Sequence, residues 1–128
     1  MKLGDGEAAG SRLLLVDDEP SIIDSGSLML GAEGYAVESA GNSSDVMTLI
    51  DKGYVPDLII CDYRLPGANG IDLIIRLRSR LECELPALMM TGDTSQTEME
   101  LSDCEWLRKP FSTERLLERV AHLLQGKR

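Results

Sequence analysis

The chain alternates five times between a short apolar run and a segment whose apolar residues recur at helical spacing, and few folds accept that pattern. The runs are Leu13 to Val16, the stretch around Tyr35 to Val37, Leu58 to Cys61, Ala87 to Met90, and the stretch near Trp106 to Leu107. Helical period marks Ser21 to Glu33, Ser43 to Lys52 closed by Gly53, Ile71 to Leu81, a short Thr94 to Leu101, and Ser112 to Leu124 closed by Gly126. Strand followed by helix, repeated, implies right-handed crossovers and a parallel sheet covered by helices on both faces. The expected fold class is therefore α/β, a doubly wound five-stranded parallel sheet with five helices.

A chain of 128 residues suits one domain, and its 43% hydrophobic content suffices for a single core without staples. Residues 12–125 are expected to form that domain, after a flexible leader at 1–11 and before a short tail at 126–128. The leader, "MKLGDGEAAGS", lacks the apolar stretch of a signal peptide, and no run approaches the length of a membrane span. A cytoplasmic location without membrane contact follows as the expectation. Cys61, Cys83 and Cys104 lack metal-site spacing and read as reduced thiols. A formal net charge of −9 argues against a nucleic-acid surface, which needs a basic footprint.

Two apolar runs end in acid. "RLLLVDDEP" carries Leu13 to Val16 into Asp17 and Asp18, and "DLIICDYRLPG" ends on Asp62 before a proline-glycine turn. An unpaired buried charge is costly, so these carboxylates belong at the open ends of their strands. Ligands of open parallel sheets gather at those carboxyl ends, beside the topological switch point. Thr91 and Lys109 follow the fourth and fifth runs and are expected at the same rim. Three carboxylates suit a hard divalent cation, Mg2+ best, because it takes oxygen ligands and keeps several waters. A carboxylate is already ionised at neutral pH, so Asp62 can act as a nucleophile toward phosphorus, with the metal, Lys109 and Thr91 neutralising the phosphoryl oxygens. Taken singly, Asp17 or Asp18 could cap the helix that Pro20 opens, Lys109 could be a surface lysine, and His122 a solvated residue of the last helix.

"LLLVDDEP", "LIICDYRLPGANGIDLI", "PALMMTGD" and "LRKPF" together resemble the receiver domains of two-component response regulators, over about Arg12 to Leu124. The resemblance implies a flavodoxin-like sheet of strand order 2-1-3-4-5. It implies Asp62 as phosphoacceptor, Asp18 as a direct Mg2+ ligand, Asp17 as a ligand acting largely through water, and the backbone carbonyl of Arg64 completing the shell. Thr91 would move to the phosphoryl group, Lys109 would pair with one of its oxygens, and Trp106 holds the place of the aromatic switch residue. The phosphodonor would be a histidine kinase or histidine phosphotransfer domain. The wording "DYRLPG" with "RLRSRL" and "MMTGDTS" is most similar to receivers attached to hybrid sensor histidine kinases. Such a chain is not an enzyme in the ordinary sense, and its motifs say nothing of oligomeric state.

Several residues depart from the family pattern. The interval from Thr91 to Lys109 is short by about four residues, roughly one helical turn, so the fourth helix is expected to be shortened. In the first helix, Ser25 and Gly26 replace larger apolar residues. Pro20, Ile22 and Ile23, beside the acidic rim, are expected to form an exposed apolar docking patch for the phosphodonor. An aspartyl phosphatase would share the nucleophile, but such enzymes want a second acid where Arg64 stands. A phosphorylation-independent interaction module of the same fold is the alternative function.

Overall fold

A computed structural model describes residues 10–92 and 104–126 of the chain. In chain order the elements are β1 (Arg12–Val16), α1 (Pro20–Ala32), β2 (Ala36–Ala40), α2 (Ser43–Asp51), β3 (Leu58–Asp62), β4 (Arg64–Leu65), β5 (Ala68–Asn69), α3 (Gly70–Leu81), β6 (Ala87–Thr91), β7 (Cys104–Arg108) and α4 (Thr113–Gly126). The main sheet is parallel throughout, in the order β2-β1-β3-β6-β7. Omitting the small β4-β5 pair, this is the order 2-1-3-4-5, the flavodoxin-like arrangement expected. Four helices lie among the described residues; the shortened helix expected at Thr94 to Leu101 lies outside them.

Alternation along the strands divides the core in two. Leu14, Val16, Ile59, Cys61, Ala87 and Met89 point to one face, where they pack with Val46 and Ile50 of α2 and Ile71, Ile74 and Leu77 of α3. Leu13, Leu15, Leu58, Ile60, Leu88, Met90 and Leu107 point to the other, against Leu30 of α1 and Leu116, Val120, Leu123 and Leu124 of α4. Burial on both faces is why β1, β3 and β6 read as unbroken apolar runs. Each fully buried leucine or isoleucine adds roughly 1.5 to 3 kcal/mol to this packing.

β2 was expected around Tyr35 to Val37 and lies later, at Ala36–Ala40, as an edge strand with Glu38 and Ser39 exposed. With half its surface in water, it carries no apolar run to mark it. Gly53 and Gly126 were expected to close their helices. Gly53 does stop α2, following the cap Lys52 at φ +98°, whereas α4 runs on through Gly126. α1 owes its seat to Gly26, which is buried; a Cβ there would stand 2.8 Å from Leu15 Cδ2. The cost of glycine in a helix, about 0.5 to 1 kcal/mol relative to alanine, is accepted for close approach to β1. Ser25 is exposed and donates its hydroxyl to the Ser21 carbonyl at 2.8 Å.

The chain between β3 and α3 forms a small clip. Gly67, at φ +78°, turns β4 back onto β5, and Arg64 pairs with Asn69. Asn69 then caps α3 by accepting from Asp72 N at 2.9 Å, a spacing typical of an N-cap. Gly70 N donates to Tyr63 O at 2.7 Å, and a Cβ on Gly70 would lie 2.6 Å from Met89 Sδ and 2.8 Å from Asp62 O. Only glycine lets α3 begin against the strand end that presents Asp62.

Candidate functional site

The carboxyl ends of β1, β3, β6 and β7 deliver polar residues to a common rim. Asp17 extends β1 by donating its N–H to Ala40 O at 3.1 Å, and it is 1% exposed. Asp62 is the last residue of β3 and is 9% exposed. Thr91 ends β6, buried, one residue beyond the register partner of Asp62, Met90. Lys109 follows β7, donates its N–H to Thr91 O at 2.7 Å, and precedes Pro110 through a cis peptide.

The Lys109 ammonium lies between the two buried acids, donating to Asp17 Oδ2 at 3.0 Å and to Asp62 Oδ2 at 3.3 Å. Asp17 Oδ1 accepts from Glu19 N at 2.9 Å, and Asp62 Oδ1 from Arg64 N at 3.4 Å. Burial pushes the Asp62 carboxyl above its ordinary range; Lys109 pulls it back down, and the neighbouring Asp17 charge adds to the rise. Burial works to lower the Lys109 pKa, but the bond to Asp17 and the charges of Asp17 and Asp62 outweigh it and hold the ammonium above its usual value.

Asp18 is exposed, and its carboxylate, with those of Asp17 and Asp62, gives three oxygens within 4.8 Å of one another. This all-oxygen set suits Mg2+, and the ammonium bridging two of its members shows that positive charge is what the pocket accommodates. Asp17, Asp18, Asp62, Thr91 and Lys109 are thus gathered as expected. Arg64 is exposed and opens β4 two residues beyond Asp62. Neither Asp17 nor Asp18 occupies the helix N-cap; that position is Glu19, whose side chain makes no capping bond.

Trp106 is half-buried on β7, with its ring centroid 5.8 Å from that of Tyr63 and the planes tilted 41°. Such a tilted pair is favourable, about 0.5 to 1.5 kcal/mol beyond area burial, and it sets the tryptophan against the residue next to Asp62. The patch expected at Pro20, Ile22 and Ile23 is only partly exposed. Pro20 is exposed, but Ile22 and Ile23 are half-buried against the core cluster beneath α1, because their helix turn faces the sheet. The large apolar side chain that α1 does expose is Leu28, at 75%.

Three residues that shape the site escaped sequence reasoning. Glu19 reaches Lys109 Nζ with Oε1 at 3.4 Å; its place directly after two aspartates was the available signal. Gly70 and Tyr63 act by proximity, which no local pattern reveals. Cys61, Cys83 and Cys104 are free, as expected, and burial pushes the thiols of Cys61 and Cys104 upward, Cys104 to about 11, so both stay protonated. His122 is exposed on α4 with Nδ1 2.9 Å from Glu105 Oε2, a carboxylate that also pairs with Arg119 at 2.8 Å.

The model of the response regulator receiver domain matches residues 13–121, and the chain belongs to that family. It is a receiver domain of two-component signalling. The DNA-binding response regulator MtrA of Mycolicibacterium smegmatis is 33% identical over 113 residues, 85% of this chain and 48% of that protein. The chain therefore spans about half the length of this relative. Among solved structures, the receiver domain of the hybrid histidine kinase CckA is similar at 28% identity, with a TM-score of 0.78 over 90% of this chain and 100% of that one. The chemotaxis response regulator CheY4 of Vibrio cholerae is similar at 29% identity, also with a TM-score of 0.78, over 90% and 99%. Receiver domains bind Mg2+ at an acidic cluster and work with histidine kinases or phosphotransfer proteins as signalling modules. No described helix is long and apolar enough to cross a membrane.

Proposed function

We propose that Asp62 accepts a phosphoryl group from a phosphohistidine of a histidine kinase or phosphotransfer domain, in a Mg2+-dependent step, and that the resulting charge switches the surface of the domain. The observation that carries this reading is the Lys109 ammonium shared between the Oδ2 atoms of Asp17 and Asp62. A nucleophilic carboxylate, a second acid and a fixed cation at one point are what phosphoryl transfer to aspartate requires. Asp17, Asp18, Asp62 and the backbone carbonyl of Arg64 would hold the ion. Bound there, Mg2+ supplies charge neutralisation for the phosphoryl oxygens.

Asp62 attacks phosphorus as the P–N bond breaks and its electron pair returns to the imidazole. Lys109, already within reach, moves its hydrogen bond from carboxylate to a phosphoryl oxygen. Thr91 supplies a hydroxyl from the neighbouring strand. Its movement is passed to Trp106, which shares its sheet face and rests on Tyr63.

The domain, residues 12–125, acts in the cytoplasm as a signalling module and catalyses only its own modification. DNA contact belongs to the M. smegmatis relative; this chain's formal net charge of −9 disfavours it. The phosphodonor is proposed to dock on α1 through Pro20 and the exposed parts of Ile22 and Ile23, with Leu28 on the outer side of the same helix. Borohydride reduction of the phosphorylated protein, followed by peptide mapping, tests the assignment. An acyl phosphate on Asp62 is converted to homoserine at that position, whereas modification elsewhere, or none, contradicts it.

A further inference from the structure

Glu19 stands where a helix cap belongs and does not cap. It is the N-cap residue of α1, with φ −93° and ψ 114°, and its side chain makes no capping hydrogen bond. Its backbone is fully engaged: the N–H donates to Asp17 Oδ1 at 2.9 Å, and the carbonyl accepts from Ile22 N at 3.1 Å and Ile23 N at 3.2 Å. The carboxylate turns instead to Lys109, with Oε1 3.4 Å from Nζ.

The three acceptors of that ammonium differ in depth. The Asp17 side chain is 0% exposed, that of Asp62 13%, and that of Glu19 60%. The inner two belong to the acidic group that a divalent cation would take. Lysine is a point charge on a flexible stem and can change acceptors without losing its backbone anchor at Thr91.

We propose that Glu19 is a positioning residue for Lys109: as the outermost acceptor, it holds the ammonium beside the site when Asp17 and Asp62 turn their oxygens to a divalent cation. The inference rests on the metal-dependent reading above and extends it to the regulation of cation binding. Without Glu19, the ammonium has only the inner acids or water as partners, so it competes harder with the cation for Asp17 and Asp62. The length of the glutamate matters. Aspartate at an N-cap prefers to fold back onto the backbone N–H groups of its own helix and would fall short of Lys109.

The test is a double-mutant cycle read by calorimetric Mg2+ titration of the unphosphorylated protein, so that no step of phosphoryl transfer enters the result. Glu19→Gln is expected to weaken Mg2+ binding about threefold, the scale of an exposed ion pair, and to do so less in the Lys109→Met background. Glu19→Asp, which keeps the charge and loses the reach, is expected to weaken it as Glu19→Gln does. Thermal melts of each variant establish that it is folded. An equal or larger loss in the Lys109→Met background, or wild-type affinity in Glu19→Asp, overturns the proposal and leaves Glu19 as a remote charge. Absence of Mg2+ binding by the wild-type protein overturns the metal-dependent reading and this inference with it; binding with an additive cycle overturns this inference alone.

Discussion

Lys109 carries its charge into a rim whose other ionisable members are acids, and it holds the buried pair Asp17 and Asp62 together. Removing it leaves both carboxylates without their shared cation. Lys109→Met should therefore destabilise the fold by about 2 kcal/mol, read from chemical denaturation. Mg2+ should restore more stability to that variant than it adds to the wild type. Asp62 behaves in the opposite sense. Its carboxyl is raised above its ordinary 3.8, chiefly by burial, so the folded chain binds more protons than the unfolded one just above that pH. Stability is then lost as pH rises through the folded pKa, and the charged Asp62 is a net cost at neutral pH. Asp62→Asn should melt at a higher temperature than wild type at pH 7, with the difference closing as the pH falls toward 3.8. At this scale the reactive residues were legible, because an acid ending an apolar run contradicts its surroundings. Glu19, Tyr63 and Gly70 were not, since each acts on a residue that folding alone brings near.

The helices and strands deliver these residues with little tolerance at two places. α3 must begin against the end of β3, and the Cβ of Gly70→Ala would approach Asp62 O and Met89 Sδ closer than packing allows. Because one of those atoms is backbone, the substitution should cost about 1 to 3 kcal/mol and slow phosphorylation of Asp62 as its strand end shifts. Gly26→Ala meets only the end of the Leu15 side chain, and the gain in helix propensity offsets part of its strain; its melting temperature should lie nearer to wild type. On α1, Leu28→Glu changes an exposed side chain and should leave stability unchanged. If this face meets the phosphodonor domain, Leu28→Glu slows transfer from the partner while the rate with a small phosphodonor is unchanged; a wild-type rate with the partner, or an equal loss in both assays, would remove Leu28 from the docking surface. Ile23→Glu is the poorer probe, because it also disturbs the core packing beneath α1. The buried strands could be read from sequence with their limits, whereas edge strand β2 was placed early, around Tyr35 to Val37, because its exposed Glu38 and Ser39 obscure where it ends. The clip from Arg64 to Asn69 was visible as a turn, and its short strands were not, because two-residue pairings carry no period.

As a whole, the molecule is a sheet with two cores and a polar rim, and the alternation of apolar runs and helical segments was enough to predict that layout. The division into two cores follows from the twofold period of β1, β3 and β6. The rim follows from where those strands stop, and the four sequence motifs named the family that the comparison with known receivers then bore out. Trp106 rests against Tyr63, the residue next to Asp62. As the chain's only tryptophan, it should report phosphorylation of Asp62 by a change in emission. The central claim is that Asp62 takes a phosphoryl group with Mg2+ bound. Intact mass after incubation with acetyl phosphate, with and without Mg2+ and alongside Asp62→Asn, tests it most directly. The expected result is one phosphoryl adduct on wild type in the presence of Mg2+, none without the metal and none on the variant. Wild type that stays unmodified under every condition, or an adduct that persists on Asp62→Asn, would contradict it.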